Sequence, residues 1–193
     1  MGHARRRRSR IGAGRGSIDI VRLDPGQLEG ELLEQVKDVH RRAGAGAATD
    51  DWARDWLPRH AERAAFRFFV ALDGDAVAAG FAYGYTGGSG QWWTDRVAAA
   101  MDRGLRARWL EPPHFEVVEL HVRPEDQRHG LGTLLLGRLL EGVPHSQALL
   151  STQVDNRKAR SFYERLGWEV VVPELSFGPG YAAFCVYGKR LRA

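Results

Sequence analysis

"LHVRPEDQRHGLGTLLLGRLL", residues 120–140, decides the reading of this chain. An apolar run of strand character ends in a turn at Pro124. Gly130 and Gly132 follow, and then a leucine-rich helix begins. A helix N-terminus carries unpaired backbone N–H groups and the positive end of the helix dipole, so it binds anions without needing lysine. Glycine suits this place because a Cβ blocks close approach of a phosphate to the backbone, or forbids the φ values of the turn. The stretch therefore fits a pyrophosphate cradle made by the backbone of Arg128, His129, Gly130, Leu131, Gly132 and Thr133. Two familiar glycine motifs do not explain it. The string GxxxxGK[ST] is absent, and GxGxxG would require glycine at position 135, which is Leu135.

Outward from this stretch, periodicity predicts an alternation of strands and helices. "SIDIVRL" alternates like a strand, and Asp24-Pro25 opens a helix whose stripe is Leu28, Leu32, Val36 and Val39. Asp50 or Thr49 caps a second helix that carries Trp52 and Trp56 one turn apart. "FRFFVAL" and "AVAAGFAYGYT", joined by Asp73-Gly74-Asp75, form a hairpin. "QWWTDRVAAAMDRGL" reads as one helix, "HFEVVELHV" as a strand, and "ALLSTQV", "WEVVV" and "YAAFCVYGKRL" as three more, with a helix from Asn156 to Leu166. The expected fold is α/β: a central mixed sheet flanked by helices.

The residues around the glycines sharpen the reading. "VRPEDQRHGLG" follows the Q/R-x-x-G-x-G/A pattern of the GCN5-related N-acetyltransferase (GNAT) superfamily, placed between a central strand and a helix as in that family. "DNRKARSFYERLGWEVV", residues 155–171, resembles its second signature: an Asn, an Ala three residues later, then aromatic-Tyr before Leu-Gly-aromatic. The resemblance is firm for residues 115–172 and weak in the first two helices. It implies a GNAT-like acyl-CoA N-acyltransferase fold, with a six- to seven-stranded mixed sheet and about four to five helices. It also implies an acetyl-CoA cosubstrate lying in a V-shaped opening between the strand before the glycine turn and "ALLSTQV". Backbone at Leu120, His121 and Val122 would then pair with the pantetheine arm. Gln127 and residues 128–133 would hold the pyrophosphate, and Asn156 would reach the pantetheine.

Tyr163 occupies the family's general-acid position. A thiol pKa near ~8.5 and a tyrosine pKa near ~10 make its hydroxyl a reasonable donor to the departing thiolate. The bland alternative is a core tyrosine with a bonded hydroxyl. An attacking amine must lose a proton, and "HFEVVELHV" offers Glu116, Glu119 and His121. Alternation puts Glu119 and His121 on one face and Glu116 on the other. Glu119, three before the motif valine, is favoured as base; Glu116, His121 and water remain as alternatives. So does plain pairing of Glu119 with an arginine.

Composition sets the limits. At 193 residues, 44% hydrophobic and 27% charged, the chain suits one domain, residues 17–193. The first sixteen residues hold six arginines and no acid, so the net charge of +4 belongs to a basic tail, and the body is acidic. Residues 1–16 are expected as a flexible extension, and their isolation from an acidic body makes a nucleic-acid partner the weakest reading. No run suits a membrane span or a secretory leader, and Cys185 stands alone, so a cytoplasmic protein without disulfides is expected. The seven histidines form no HxxxH or HxH pair, and no metal is expected. Trp52, Trp56, Trp92 and Trp93, with Asp50, Asp51, Asp55 and Asp95, could line an acceptor pocket, although most have core or cap spacing. The leading function is an N-acetyltransferase acting on a primary amine of a small molecule or peptide. The alternative is a non-catalytic acyl-CoA sensor of the same fold. A homodimer, common in the resembling family, is not decided by the pattern.

Overall fold

The computed structural model describes residues 7–9, 17–180 and 182–191. Its backbone divides into two compact units, one made by the chain up to Tyr85 together with Glu119–Val143, the other by Thr86–Val118 with the chain from Pro144.

In the first unit β2 (Ile18–Leu23), β3 (Arg67–Leu72) and β4 (Ala78–Gly87) are successive antiparallel neighbours. The short β1 (Arg7–Ser9) pairs antiparallel with β2, in register Arg7↔Ile20. This is the described part of the segment expected as a flexible tail; the rest of residues 1–16 lies outside the described residues. The C-terminal half of β5 (His114–Val122) continues past β4, where the Arg123 N–H donates to the Ala79 carbonyl at 2.9 Å. Alternating β-branched and aromatic residues explain the core: Phe68, Val70, Phe81 and Tyr83 are all fully buried. α6 (Leu131–Leu140) covers it with a stripe of Leu131, Leu135, Leu136 and Leu139.

In the second unit β5 pairs in parallel with β6 (Gln147–Gln153) at Phe115↔Ala148 and Glu116↔Leu149. β8 (Ala183–Arg190) lies between β6 and β7 (Glu169–Ser176), antiparallel to both. The core gathers Val97, Met101, Trp109, Leu149 and Val186, with Trp93 and Leu105 packed against it. Trp109 sits so close that a Cβ on Gly188 would meet its ring at 2.6 Å. Cys185 is fully buried, as expected of a small hydrophobe.

The mixed sheet and helices agree with the expected fold, but the helices are more broken than periodicity indicated. The Gln27 side chain accepts from the Asp24 N–H at 2.8 Å and closes a single 3-10 turn, Pro25–Gln27. Gly30, at φ +57°, then resets the chain, so α1 (Gly30–His40) begins a turn late. The second helix is α2 (Thr49–Asp51), a π-helical turn Trp52–Trp56, and α3 (Leu57–Ala61). The wider π turn takes residues four apart off a common line; Trp52 is buried and Trp56 is 49% exposed. The helix expected from residue 91 to 105 is two: α4 (Trp92–Ala99) and α5 (Arg103–Trp109), the second started by Asp102, whose carboxylate accepts from the Leu105 N–H at 2.8 Å.

Candidate functional site

The glycine turn has the conformation its sequence demands. Arg128 at φ +65° and Gly130 at φ +83° both adopt the left-handed region, and Gly130 is the N-cap of α6. No side chain caps this helix, and no acidic residue lies in its first turn. Its first intrahelical bond runs from the Leu134 N–H to the Gly130 carbonyl, so the N–H groups of Leu131, Gly132 and Thr133 have no intrahelical acceptor. Residues 127–130 are exposed, and nothing lies within 4 Å of where a Gly130 Cβ would stand. Gln127 fixes the turn by donating from Nε2 to the Val122 carbonyl at 3.0 Å. Leu131 is buried beneath the turn and anchors it. These features make an open, positively polarised backbone cup suited to a phosphate.

Directly before this cup, β5 turns Glu119 and His121 to one face. Glu119 Oε2 and His121 Nε2 are 2.6 Å apart. His40, from the last turn of α1, brings its Nε2 to 3.9 Å from Glu119 Oε1. Burial alone would push the Glu119 carboxyl up, but hydrogen bonds to His121 and His40 outweigh burial and hold it at about 2. The pairing reading with an arginine is therefore replaced by pairing with two histidines. Behind them stands an aromatic wall: Trp52 stacks on His40 with centroids 4.2 Å apart, and Phe81 lies 5.4 Å from the His121 ring. Trp52 Nε1 donates to the Tyr83 hydroxyl at 3.0 Å, and the same hydroxyl lies 3.0 Å from His60 Nδ1. Burial lowers the His60 pKa to about 4, the nearby Glu119 charge opposing and Arg63 assisting.

Glu116 falls on the buried N-terminal half of β5, in the second unit. Asn156 and Tyr163 also belong to that unit. Asn156 is a helix cap: its Oδ1 accepts from the Ala159 N–H at 3.1 Å at the start of α7 (Arg157–Arg165). Tyr163 is 8% exposed among Phe162, Trp168 and Tyr187. The Leu-Gly-aromatic part of the second signature has a physical cause. Gly167, at φ +76°, ends α7; its N–H reaches the Glu164 carbonyl and the Trp168 N–H reaches the Tyr163 carbonyl. That is a Schellman stop, which needs glycine at the left-handed position.

Sequence reasoning missed His40, Thr49 and His60, because residues so far apart along the chain share no spacing pattern with β5. One signal was available: His40 is one turn beyond Val36 on the buried stripe of α1, where a polar residue needs a partner. The aspartates considered for an acceptor pocket are held in local pairs. Asp50 pairs with Lys37, Asp51 and Asp55 pair with Arg54, and Asp95 accepts from the Gly90 N–H.

A mixed sheet in which a strand leads into an open glycine cup at a helix start is a GNAT-like acyl-CoA N-acyltransferase fold. The chain belongs to the acetyltransferase (GNAT) family, whose pattern it matches over residues 33–168. It is 36% identical over 124 residues to the GCN5-like protein acetyltransferase Rv2170 of Mycobacterium tuberculosis, a match covering 61% of this chain and 60% of that protein. A second relative, the probable N-acetyltransferase Rv2775 of the same organism, is 36% identical over 59 residues, 31% of this chain and 34% of that one. The matches thus span less than two thirds of either relative. Among solved structures, the fold is similar to a putative GNAT acetyltransferase from Desulfovibrio desulfuricans (TM-score 0.62, 20% identity, 90% of this chain and 98% of that one). It is also similar to the PaiA N-acetyltransferase of Thermoplasma acidophilum in complex with coenzyme A (TM-score 0.57, 16% identity, 91% and 99% covered). The Arabidopsis thaliana NAA60 complex with acetyl-CoA is a third likeness (TM-score 0.62, 12% identity, 90% and 98% covered). Among the described residues no helix is long and apolar enough to cross a membrane.

Proposed function

We propose that the chain transfers an acetyl group from acetyl-CoA to a primary amine of a small molecule or peptide by direct attack. The observation that carries this reading is the uncapped, exposed start of α6 immediately after a strand that presents Glu119 hydrogen-bonded to His121. In this reading backbone at Leu120, His121 and Val122 pairs with the pantetheine amides, as an added strand would. Gln127, Arg128, His129, Gly130, Leu131, Gly132 and Thr133 cradle the pyrophosphate, and Asn156 contacts the pantetheine arm.

The acceptor nitrogen attacks the thioester carbonyl carbon, the C–S bond breaks, and Tyr163 gives its hydroxyl proton to the departing sulfur. The amine's proton goes to the Glu119–His121 pair. A carboxylate held at about 2 is a weak base alone; its use is to orient and electrostatically support His121 as the proton arrives.

Calorimetric titration with acetyl-CoA tests the reading, beside Gly130→Glu, which puts bulk and negative charge into the cup. Micromolar binding that the substitution removes supports it. A folded wild-type chain that does not bind acetyl-CoA sinks it. Tyr163→Phe then separates enzyme from sensor, since turnover should collapse while coenzyme binding survives.

A further inference from the structure

Three side chains of the first unit converge on one point: one ring nitrogen each of His40 and His121 and a Glu119 carboxylate oxygen lie within 4.8 Å of one another. We propose that they form a site for a late first-row divalent cation of the zinc type, with two imidazoles and one carboxylate as ligands. The inference does not rest on acyl transfer, because its readout is metal binding itself.

The hydrogen bonding around His40 carries the argument. The Thr49 hydroxyl donates to the Gly46 carbonyl at 2.9 Å, which uses its only proton. His40 Nδ1, 2.9 Å from the same hydroxyl, must therefore be the donor of that bond. With Nδ1 committed as that donor, His40 turns Nε2 toward the Glu119 carboxylate, 3.9 Å from Oε1. A ring nitrogen facing a carboxylate calls for a cation between them, either a proton or a metal ion. A hydroxyl that takes the distal N–H is also the arrangement that orients a metal-binding imidazole.

Distances fit the second occupant. Ligand atoms around a tetrahedral zinc with bonds of about 2.0–2.1 Å stand about 3.3 Å apart. Here Glu119 Oε2 lies 2.6 Å from His121 Nε2 and Oε1 lies 3.9 Å from His40 Nε2, one on each side of that value, so a small shift of the side chains would bring them to a common ion. Two imidazoles select zinc, cobalt or nickel over magnesium and calcium, which prefer all-oxygen shells. Accessibility is graded: His40 is buried at the back, whereas 18% of the His121 side chain and 26% of Glu119 remain exposed, leaving an entry and an open coordination position. An ion there would take the lone pairs that proton acceptance needs, so acetyl transfer belongs to the metal-free chain and a bound ion inhibits it.

The test is titration of the full chain, stripped with chelator and returned to chelator-free buffer, with Co²⁺ followed by visible absorption, then back-titration with Zn²⁺. One Co²⁺ per chain with intense low-symmetry bands, displaced by Zn²⁺, is expected. Thr49→Val keeps all three ligands and removes the group that orients His40; affinity should fall about 10- to 100-fold. Glu119→Gln, close in shape, should remove the bands while circular dichroism stays unchanged. A wild-type chain that gives no stoichiometric cobalt spectrum overturns the proposal. Bands that persist undiminished in Glu119→Gln overturn it equally, because the ion then sits elsewhere.

Discussion

Trp168 holds Tyr163 twice, by an N–H to carbonyl bond of 3.1 Å and by an edge-on ring contact with centroids 5.7 Å apart. These are the backbone bond and the apolar contact of one Schellman stop, and Gly167 between them supplies the left-handed turn. The helix ending therefore sets where the proposed acid stands. Gly167→Ala should cost about 1 kcal/mol in stability, from a Cβ forced to positive φ. It should also reduce kcat for acetyl transfer more than it raises KM for acetyl-CoA. Thermal unfolding and steady-state thiol release check both; an unchanged kcat would detach Tyr163 from catalysis.

Gly80 gives the second prediction. A Cβ there would stand 2.8 Å from the His121 carbonyl oxygen and 3.1 Å from Leu135 Cδ1. The first contact is backbone and cannot move away cheaply, so β4 fixes the level of β5 at the His121 peptide. Gly80→Ala should destabilise by about 1–3 kcal/mol, the range for overpacking. Acetyl-CoA affinity should fall with it, because the displaced segment carries the strand backbone and leads into the glycine cup. Denaturant titration and calorimetry measure the two effects; full affinity in a destabilised protein would argue that β5 and the cup are independent.

How much of this could be read in the sequence follows from which physical forces are local. The glycine cup, the Asn156 cap and the Gly167 stop were legible because each is a short-range backbone requirement written in consecutive residues. Glu119 and His121 were legible as a same-face pair by strand alternation. Their partner was not, since His40 arrives by tertiary packing of α1. Nor was the break at Asp102 expected: the apolar stripe Trp93, Val97, Met101, Leu105 continues through it, and all four reach the same core from two helices. Core periodicity outlived the helix that suggested it. The π turn at Trp52 shows the reverse case, where a regular spacing is undone by backbone geometry.

The Glu119–His121 pair predicts a particular pH profile. Held at about 2, Glu119 stays ionised at every working pH, so kcat/KM has no limb from this carboxylate in the working range. Glu119→Gln should lower kcat about 100-fold or more at every such pH, within the usual range for general acid–base groups. Profiles of thiol release for both proteins provide the check; coincident curves would remove the pair from the mechanism.

His114 predicts acid lability of the fold. It is fully buried at the start of β5, both ring nitrogens lacking a hydrogen-bond partner among the described residues. Burial, aided by His145, lowers its pKa to about 4. Between about pH 6.5 and 4 the unfolded chain takes up a proton there that the folded chain refuses, so stability must fall as pH falls through that window. One such group contributes at most about 3–4 kcal/mol, taking ~1.36 kcal/mol per pH unit. His60, also lowered by burial, adds in the same direction. Glu119, whose pKa is depressed instead, costs stability only below the ordinary carboxylate range, so the two contributions separate on the pH axis. Urea unfolding at a series of pH values should show a steady loss between neutral and mildly acid conditions, flatter in His114→Leu. A variant that keeps the full wild-type slope would show that His114 is protonated without penalty, and that another group carries the acid lability.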